Sequence, residues 1–324
     1  MMNGESNPEL REDEGYSFHK YVIYILVGIT VVLTILRILV NTLEMPYIIE
    51  LSRDFDYRIL IEGMGNGLVN FYDPISYPQF PPYYLYFWYF MFYPMYLLPV
   101  EVGVYIWDML RLLSCIYVVK EAQVVFQQKF DLVIFYGFVT ISYAVSGYFN
   151  NVNFLILLLL FCSYTSYERD QKWLAGILFT LATFKINSVI FLPVLLIVKK
   201  IKLKDIIYFI VPFGLICIPY ILFPDYFMGM VGNWTHGGGD IMKNDSILLS
   251  ILTLIDSVLW KALQPSHLMF IGFIILIFLE NIKEKKWRRR YRVIIFMILI
   301  IYIMRLSFVT FIHDLFMGGN FSDI

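Results

Sequence analysis

From Tyr21 to Val40 the chain runs for twenty predominantly apolar residues. At about 1.5 Å of rise per residue, a helix of that length crosses a hydrocarbon core of about 30 Å. Comparable apolar stretches recur near 102–119, 130–148, 152–167, 173–186, 187–198, 206–223, 266–281 and 293–310. Hydrophobic residues reach 59% of the chain and charged residues only 16%, against about 45–50% and 25% in ordinary soluble domains. This composition excludes a soluble enzyme, a disordered chain and a secreted disulfide scaffold. The expected fold class is an all-α polytopic membrane protein of about nine transmembrane helices.

Lysine and arginine in the connecting loops set the expected orientation. Basic residues cluster at Lys120/Lys129, Arg169/Lys172, Lys199/Lys200/Lys202/Lys204 and in the run KEKKWRRRYR from Lys283 to Arg292. Nine spans put all four clusters on one side together with Arg11 and Lys20, seventeen basic residues against five on the other. The basic side is expected to be cytoplasmic, with an acidic tail over residues 1–20. Residues 21–324 then form one transmembrane domain with outer loops near 41–101 and 224–265. The same parity requires that the aromatic segment 81–98 and the apolar segment 247–260 do not cross. Both are expected to lie in the outer interface, the depth that Tyr and Trp favour. The fifth and sixth spans are short enough to form one broken hairpin. Three sequons, at Asn233, Asn244 and Asn320, all fall on the outer side.

A net charge of −1 carries no signature of nucleic-acid binding. The three cysteines sit in apolar runs without a CxxC, an odd number that suits packing better than disulfides or zinc. No repeat or inverted symmetry is visible, and no cofactor is expected; a divalent metal is not indicated.

Chemistry-bearing residues gather on the outer side. The long first outer loop holds Arg53-Asp54-Phe55-Asp56-Tyr57, three spaced glycines, Tyr72-Asp73-Pro74 and Tyr77-Pro78-Gln79-Phe80-Pro81-Pro82. A carboxylate at the membrane rim serves as a general base when desolvation raises its pKa. The alternative is a pair of solvated acids neutralised by Arg53 and Arg58. Asp108 and Arg111, three apart on one helix, are expected to form a structural ion pair. Arg305 lies inside the last span, where charge is costly and often functional; a structural partner such as Asp108 or Asp256 is the alternative. Thr235-His236-Gly-Gly-Gly239 reads as a flexible loop, since no G-x-S-x-G accompanies it to build a hydrolase.

The D-x-D-Y at Asp54–Tyr57, the N-x-Y at Asn70–Tyr72 and the Y-P-x-x-P-P before an aromatic helix resemble the first luminal loop of lipid-dependent GT-C glycosyltransferases. Two types fit: the polyprenyl-phosphate-mannose-dependent enzymes of glycosyltransferase family 87 (DUF2029), and GPI mannosyltransferase I. Further landmarks follow in order. They are Gly147 through Asn150-Asn151-Val-Asn153, Trp173 through Phe184-Lys185, Asn244-Asp-Ser246, and His313-Asp314. The resemblance implies a GT-C-like fold with peripheral helices in the first outer loop. It implies inverting transfer of a hexose, mannose by analogy, from a polyprenyl phosphate to a lipid or glycan acceptor on the extracytoplasmic face.

Such a transfer needs a base for the acceptor hydroxyl and cations for the departing phosphate. Asp54 is expected as the base, with Asp56 second. Lys185 and His313 are expected near the phosphate, Asn151 and Asn153 on sugar or phosphate, and Tyr57 and Arg305 among the substrate-binding residues. A snorkelling Lys185, an interfacial His313 and helix-capping asparagines are the structural alternatives. The aromatic helix 83–97 is expected as a sugar or lipid platform, or as a membrane anchor. Relatives of this type usually continue with further spans after the histidine, which leaves room for a partner subunit. The rival classes are a flippase for a lipid-linked sugar and an inactive scaffold.

Overall fold

The computed structural model describes residues 9–42, 54–65, 67–72, 84–235 and 268–295. Among the described residues twelve α-helices run in the order α1 (Glu9–Thr42), α2 (Phe55–Gly65), α3 (Trp88–Tyr96), α4 (Val100–Val125), α5 (Lys129–Phe149), α6 (Asn153–Glu168), α7 (Lys172–Ala182), α8 (Phe191–Ile197), α9 (Ile207–Leu222), α10 (Pro224–Thr235), α11 (Leu268–Asn281) and α12 (285–295). Short 3₁₀ turns at Ile186–Ile190 and Leu203–Ile206 lead into α8 and α9. Among the described residues there is no strand. Without water to satisfy exposed backbone groups, a membrane-spanning chain of this composition closes its hydrogen bonds within helices.

Four helical segments are long and apolar enough to cross a membrane: Phe18–Leu39, Val100–Val125, Lys129–Phe149 and Leu203–Leu222. Four more are apolar but shorter: Asn153–Glu168, Lys172–Ala182, Ile186–Ile197 and Leu268–Asn281. The expected count of nine full-length spans is therefore not reached among the described residues. The shortfall has a local cause. An 11-residue helix covers only about 16 Å of a core of about 30 Å, and α7 stops where the chain bends through Thr183–Lys185 before returning along Ile186–Ile197. The fifth and sixth segments thus make a broken hairpin. The ninth apolar stretch lies largely outside the described residues, as do residues 247–260.

Two other expectations meet the structure here. Helix α1 begins at Glu9, so the acidic N-terminal stretch is helical well before Tyr21. Helix α3 is only nine residues long and carries Pro94 inside it. At about 14 Å it is too short to span. Its Trp88 and Phe92 are buried, while Phe90, Tyr93 and Tyr96 face outward.

The helices pack through a core rich in aromatics. α6 lies against α7, α7 against α9, α11 against α5 and α6, and α1 against α4 and α5. The outer faces of α1 and α9 are apolar and exposed, as at Ile25, Val31, Ile210 and Leu215. That is the surface lipid chains would cover. Within the bundle, small residues set the closest approaches, as is usual where helices associate without water. A β-carbon built at Gly176 would fall inside contact distance of the Tyr208 backbone oxygen on α9, and one at Gly272 would meet the Phe138 side chain on α5.

The charged connections share one end of this bundle. At the start of α5, Asp131 pairs with Arg292 of α12 at 2.5 and 2.8 Å. Nearby in the chain, Lys172 reaches Asp205 at 3.3 Å and Lys200 reaches Glu168 at 3.6 Å. The opposite end of α5, 21 residues away and about 31 Å by helical rise, carries Asn150.

Gly176→Ala is expected to lower the thermal midpoint in detergent, because the added methyl separates α7 from a backbone atom; overpacking of this kind costs about 1–3 kcal/mol. Gly28 on α1 has nothing within 4 Å of its would-be β-carbon, so Gly28→Ala should not lower the midpoint. Equal midpoints for the two variants would remove the close α7–α9 contact from the description.

Candidate active site

The site forms where α5 ends and α2 begins. Asn150 closes α5 in a left-handed conformation, φ 56° and ψ 44°, with its N–H bonded to the Ser146 carbonyl. Asparagine tolerates that region because its short amide bonds locally. Asp54 enters α2 in the same unusual region, φ 59°, with its N–H donating to the Tyr148 carbonyl at 3.1 Å. The first turn of α2 is thereby stitched to the last turn of α5.

Five side chains then close a ring. Arg37, near the end of α1, presents its planar fork to Asp54: Nε donates to Oδ2 at 2.9 Å and Nη2 to Oδ1 at 2.8 Å. Its Nη1 donates to Asp108 of α4. Asp108 also accepts from Arg111, one turn on. Arg111 donates to the Asn150 side-chain oxygen, and the Asn150 amide returns to Asp54 Oδ1 at 2.6 Å. Trp107 adds a bond from its indole N–H to the Asn150 carbonyl at 3.1 Å. Two cations face two anions, and Arg37 and Asp54 are 2% and 1% exposed. A buried charge is tolerable only when paired and hydrogen-bonded on this scale.

Immediately beside the ring lies a second, looser chain of polar groups. Asp56, two residues after Asp54, accepts from the Asn151 amide through Oδ2. The other end of Asn151, Oδ1, accepts from the backbone N–H of Asn153 at 3.1 Å, at the start of α6. Asn153 Oδ1 accepts from Lys185 Nζ at 3.2 Å. Lys185 sits in the turn between α7 and the following 3₁₀ helix. Ser188 fixes that turn by donating to the Lys185 and Ala182 carbonyls, and Leu85 N–H bonds the neighbouring Phe184 carbonyl at 2.9 Å.

Lys185 is only 3% exposed, yet Asn153 is the one hydrogen-bond partner of its three-donor ammonium among the described residues. Asp56 keeps part of its surface accessible, and its Oδ1 accepts no hydrogen bond among them. The two groups attract one another electrostatically without forming a direct ion pair. Desolvation raises the Asp56 pKa, against the pull of Lys185 and the Asn151 bond. Desolvation lowers Lys185 to about 8, against the pull of Asp56.

Aromatic rings wall this region. Trp107 touches Tyr57, Phe92 and Phe154 at centroid distances of 5.5, 5.2 and 5.3 Å. Trp88 lies 4.7 Å from Phe184. The buried face of α3 is therefore spent on protein packing, and only Phe90, Tyr93 and Tyr96 remain outward for an interfacial role. On the other side of Asp54 is a small cleft of about 60 Å³ lined by Arg37, Asp54, Arg58, Glu101 and Tyr105, with room for a few water molecules.

The structure thus gathers Asp54, Asp56, Asn151, Asn153 and Lys185 from three separate segments. Tyr57 is fully buried, its hydroxyl without a partner and pressed against Gly103, so it stands in the core rather than facing Asp56 and Lys185. His313 and Arg305 lie outside the described residues, as do Arg53 and the glycine run from His236. Asp54 is not a solvated acid, and Arg58 does not pair with it through its side chain; its partner is Arg37. The Asp108–Arg111 pair is present as expected. Asn150 and Asn151 shape helix ends, and Asn150, Asn151 and Asn153 also hold charged side chains. Asn233 of the first sequon spends its amide on the Tyr72 carbonyl at 2.8 Å. Sequence reasoning missed Arg37. The signal was available: a lone arginine inside an apolar span must find an anion.

Among the described residues no three His, Cys, Asp or Glu side chains converge as a metal site requires. A family model for glycosyltransferase family 87 matches residues 83–306, well over half of the chain. The match includes Asn151, Asn153, Lys185 and Arg305 and begins after the Asp54–Tyr57 loop. No curated protein and no solved structure matches the chain.

Replacing Arg37 tests the ring. Arg37→Met leaves Asp54 and Asp108 sharing one buried cation and should cost about 3–5 kcal/mol, read as a fall in thermal midpoint. Arg37→Lys restores the charge without the two-pronged geometry and should fall between. Three equal midpoints would mean the ring contributes nothing to stability.

Proposed function

The chain belongs to glycosyltransferase family 87, and from that premise we propose that it transfers a hexose, mannose by resemblance, from a polyprenyl-phosphate donor. The acceptor is a lipid or glycan on the extracytoplasmic face, and the anomeric configuration inverts. The observation that carries this reading is the separation of Asp56 from Lys185. A partly accessible carboxylate and a buried ammonium, each with hydrogen-bonding capacity that no described residue takes up, are held apart by Asn151 and Asn153. A sugar phosphate entering between them would meet a base on one side and a cation on the other.

The step balances as follows. Asp56 takes the proton of the acceptor hydroxyl, whose oxygen attacks the anomeric carbon from the face opposite the phosphate. The bond from that carbon to the phosphate oxygen breaks, and polyprenyl phosphate leaves with the electron pair. Lys185 offsets the developing charge. Asp56 has a raised pKa and an oxygen that accepts no hydrogen bond among the described residues, which suit a base. Asp54 is gripped by Arg37 and Asn150, which engage both of its oxygens, and it serves by fixing the start of α2. This reverses the order expected from the sequence. The orientation rests on the site and the basic loop occupying opposite ends of α5, with the basic end cytoplasmic by the positive-inside rule. Outside labelling of a cysteine at 287 would overturn it.

Asp56→Asn should reduce kcat by about 10²–10⁴-fold with the thermal midpoint retained, whereas Asp54→Asn should lower the midpoint. A fully active Asp56→Asn beside a stable but dead Asp54→Asn exchanges the two roles.

The pH profile follows from the same pair. Asp56 must be ionised, so kcat/KM should fall on the acid side through a pKa above the ordinary carboxylate range. Lys185 must be charged, so a second fall should appear as pH rises through about 8. Lys185→Met should remove that alkaline limb and raise the donor KM more than the acceptor KM. The substrate for these assays is a synthetic prenyl-phosphate hexose without nucleotide. Turnover with a nucleotide hexose and no lipid carrier would sink the donor assignment.

A further inference from the structure

At the far end of the bundle, the segment from Lys283 through α12 contains seven basic residues, and only two are committed within the fold. Arg292 is held by Asp131, and Arg288 donates to the Glu280 and Ile282 carbonyls, closing the end of α11. Lys283, Lys285, Lys286 and Arg289 are exposed and make no ion pair among the described residues. Arg290 lies over the Trp287 ring at 5.1 Å, and Trp287 and Tyr291 sit side by side at 6.1 Å, both exposed. Glu284 is the single acid on this stretch. Trp287 and Tyr291, with Ile282, Lys283 and Glu284, line an open cleft of about 430 Å³.

We propose that this face is a binding surface for anionic phospholipid headgroups. Charge complementarity supplies the first reason: Lys283, Lys285, Lys286 and Arg289 have no counter-ion among the described residues, and each Lys or Arg near an anionic membrane surface adds measurably to attraction. Depth supplies the second. The segment joins the apolar helix α11 to the apolar stretch beginning at Val293, which sets it at the headgroup layer. The exposed Trp–Tyr pair belongs at that depth, with rings against acyl chains and polar edges toward water. Preorganisation supplies the third. The Arg292–Asp131 and Arg288 bonds fix α12 against α5 and α11, so the cations are presented without an ordering step. The surface is separate from the transfer site, and its test needs no activity.

The purified full-length protein in neutral detergent micelles is doped with dibrominated phosphatidylglycerol or dibrominated phosphatidylcholine. Quenching of Trp287 is isolated by subtracting Trp287→Phe. The anionic lipid should half-quench at a mole fraction at least about fivefold lower than the zwitterionic one. Replacing Lys283, Lys285, Lys286 and Arg289 by Gln together should bring the two within twofold, with circular dichroism and thermal midpoint unchanged. Should the quadruple variant misfold, Lys285→Gln/Lys286→Gln and Lys283→Gln/Arg289→Gln must each narrow the ratio. Equal quenching by both lipids in the parent, or an undiminished preference in folded variants, overturns the proposal. Inorganic phosphate that displaces the lipid beyond a matched chloride control would assign the surface to free phosphate and likewise overturn it.

Discussion

A charged guanidinium cannot sit in an apolar bundle unless anions come to it, and Arg37 draws two of them, from different parts of the chain. Asp54 arrives from the start of α2 and Asp108 from α4. Arg111 and Asn150 then satisfy what those carboxylates leave over. The ring therefore decides the meeting point of four segments that share no local sequence. Because each member is buried, no single one can be withdrawn without exposing another's unpaired charge to a medium of low polarity. Rigidity at this point is a consequence of electrostatics as well as of packing.

Asp54 and Asn150 are locked, and their near neighbours Asp56 and Asn151 repeat the same carboxylate–amide contact one step away. The second contact has no arginine, and one Asp56 oxygen accepts no hydrogen bond among the described residues. Lys185 is brought to the same place by a bend between two short helices, where its ammonium meets one amide oxygen and otherwise protein interior. Desolvation moves the carboxyl up and the amine down, narrowing the gap between their pKa values. Groups so placed exchange protons and bind anions near neutral pH more readily than their solvated counterparts.

The two ends of the bundle carry opposite designs. One end pairs nearly every buried charge inside the protein. The other leaves cations exposed around α12 while fixing the backbone that carries them. Helix α5 measures the distance between the two, with Asp131 at one end and Asn150 at the other.

Much of this was legible in the residues themselves. Apolar length and composition specify a helical membrane protein, since continuous apolar runs near 20 residues suit spanning helices rather than barrel strands. Short-range pairs such as Asp108–Arg111 follow from helical spacing, and the ordered landmarks from Asn150 to Lys185 pointed to the family that the chain belongs to. What the tertiary structure decided is which aspartate stays free. The sequence offers Asp54 and Asp56 as two acids expected at a membrane rim, with Asp54 ranked first as the base. Their difference arises because Arg37, seventeen residues earlier on another helix, reaches one and not the other. Local pattern likewise marked Lys185 as a charge at a helix end, but its burial beside Asn153 depends on how α6 and α7 pack. Sequence periodicity determines which faces are apolar; desolvation and charge pairing are set by neighbours distant in the chain, and only the fold supplies them.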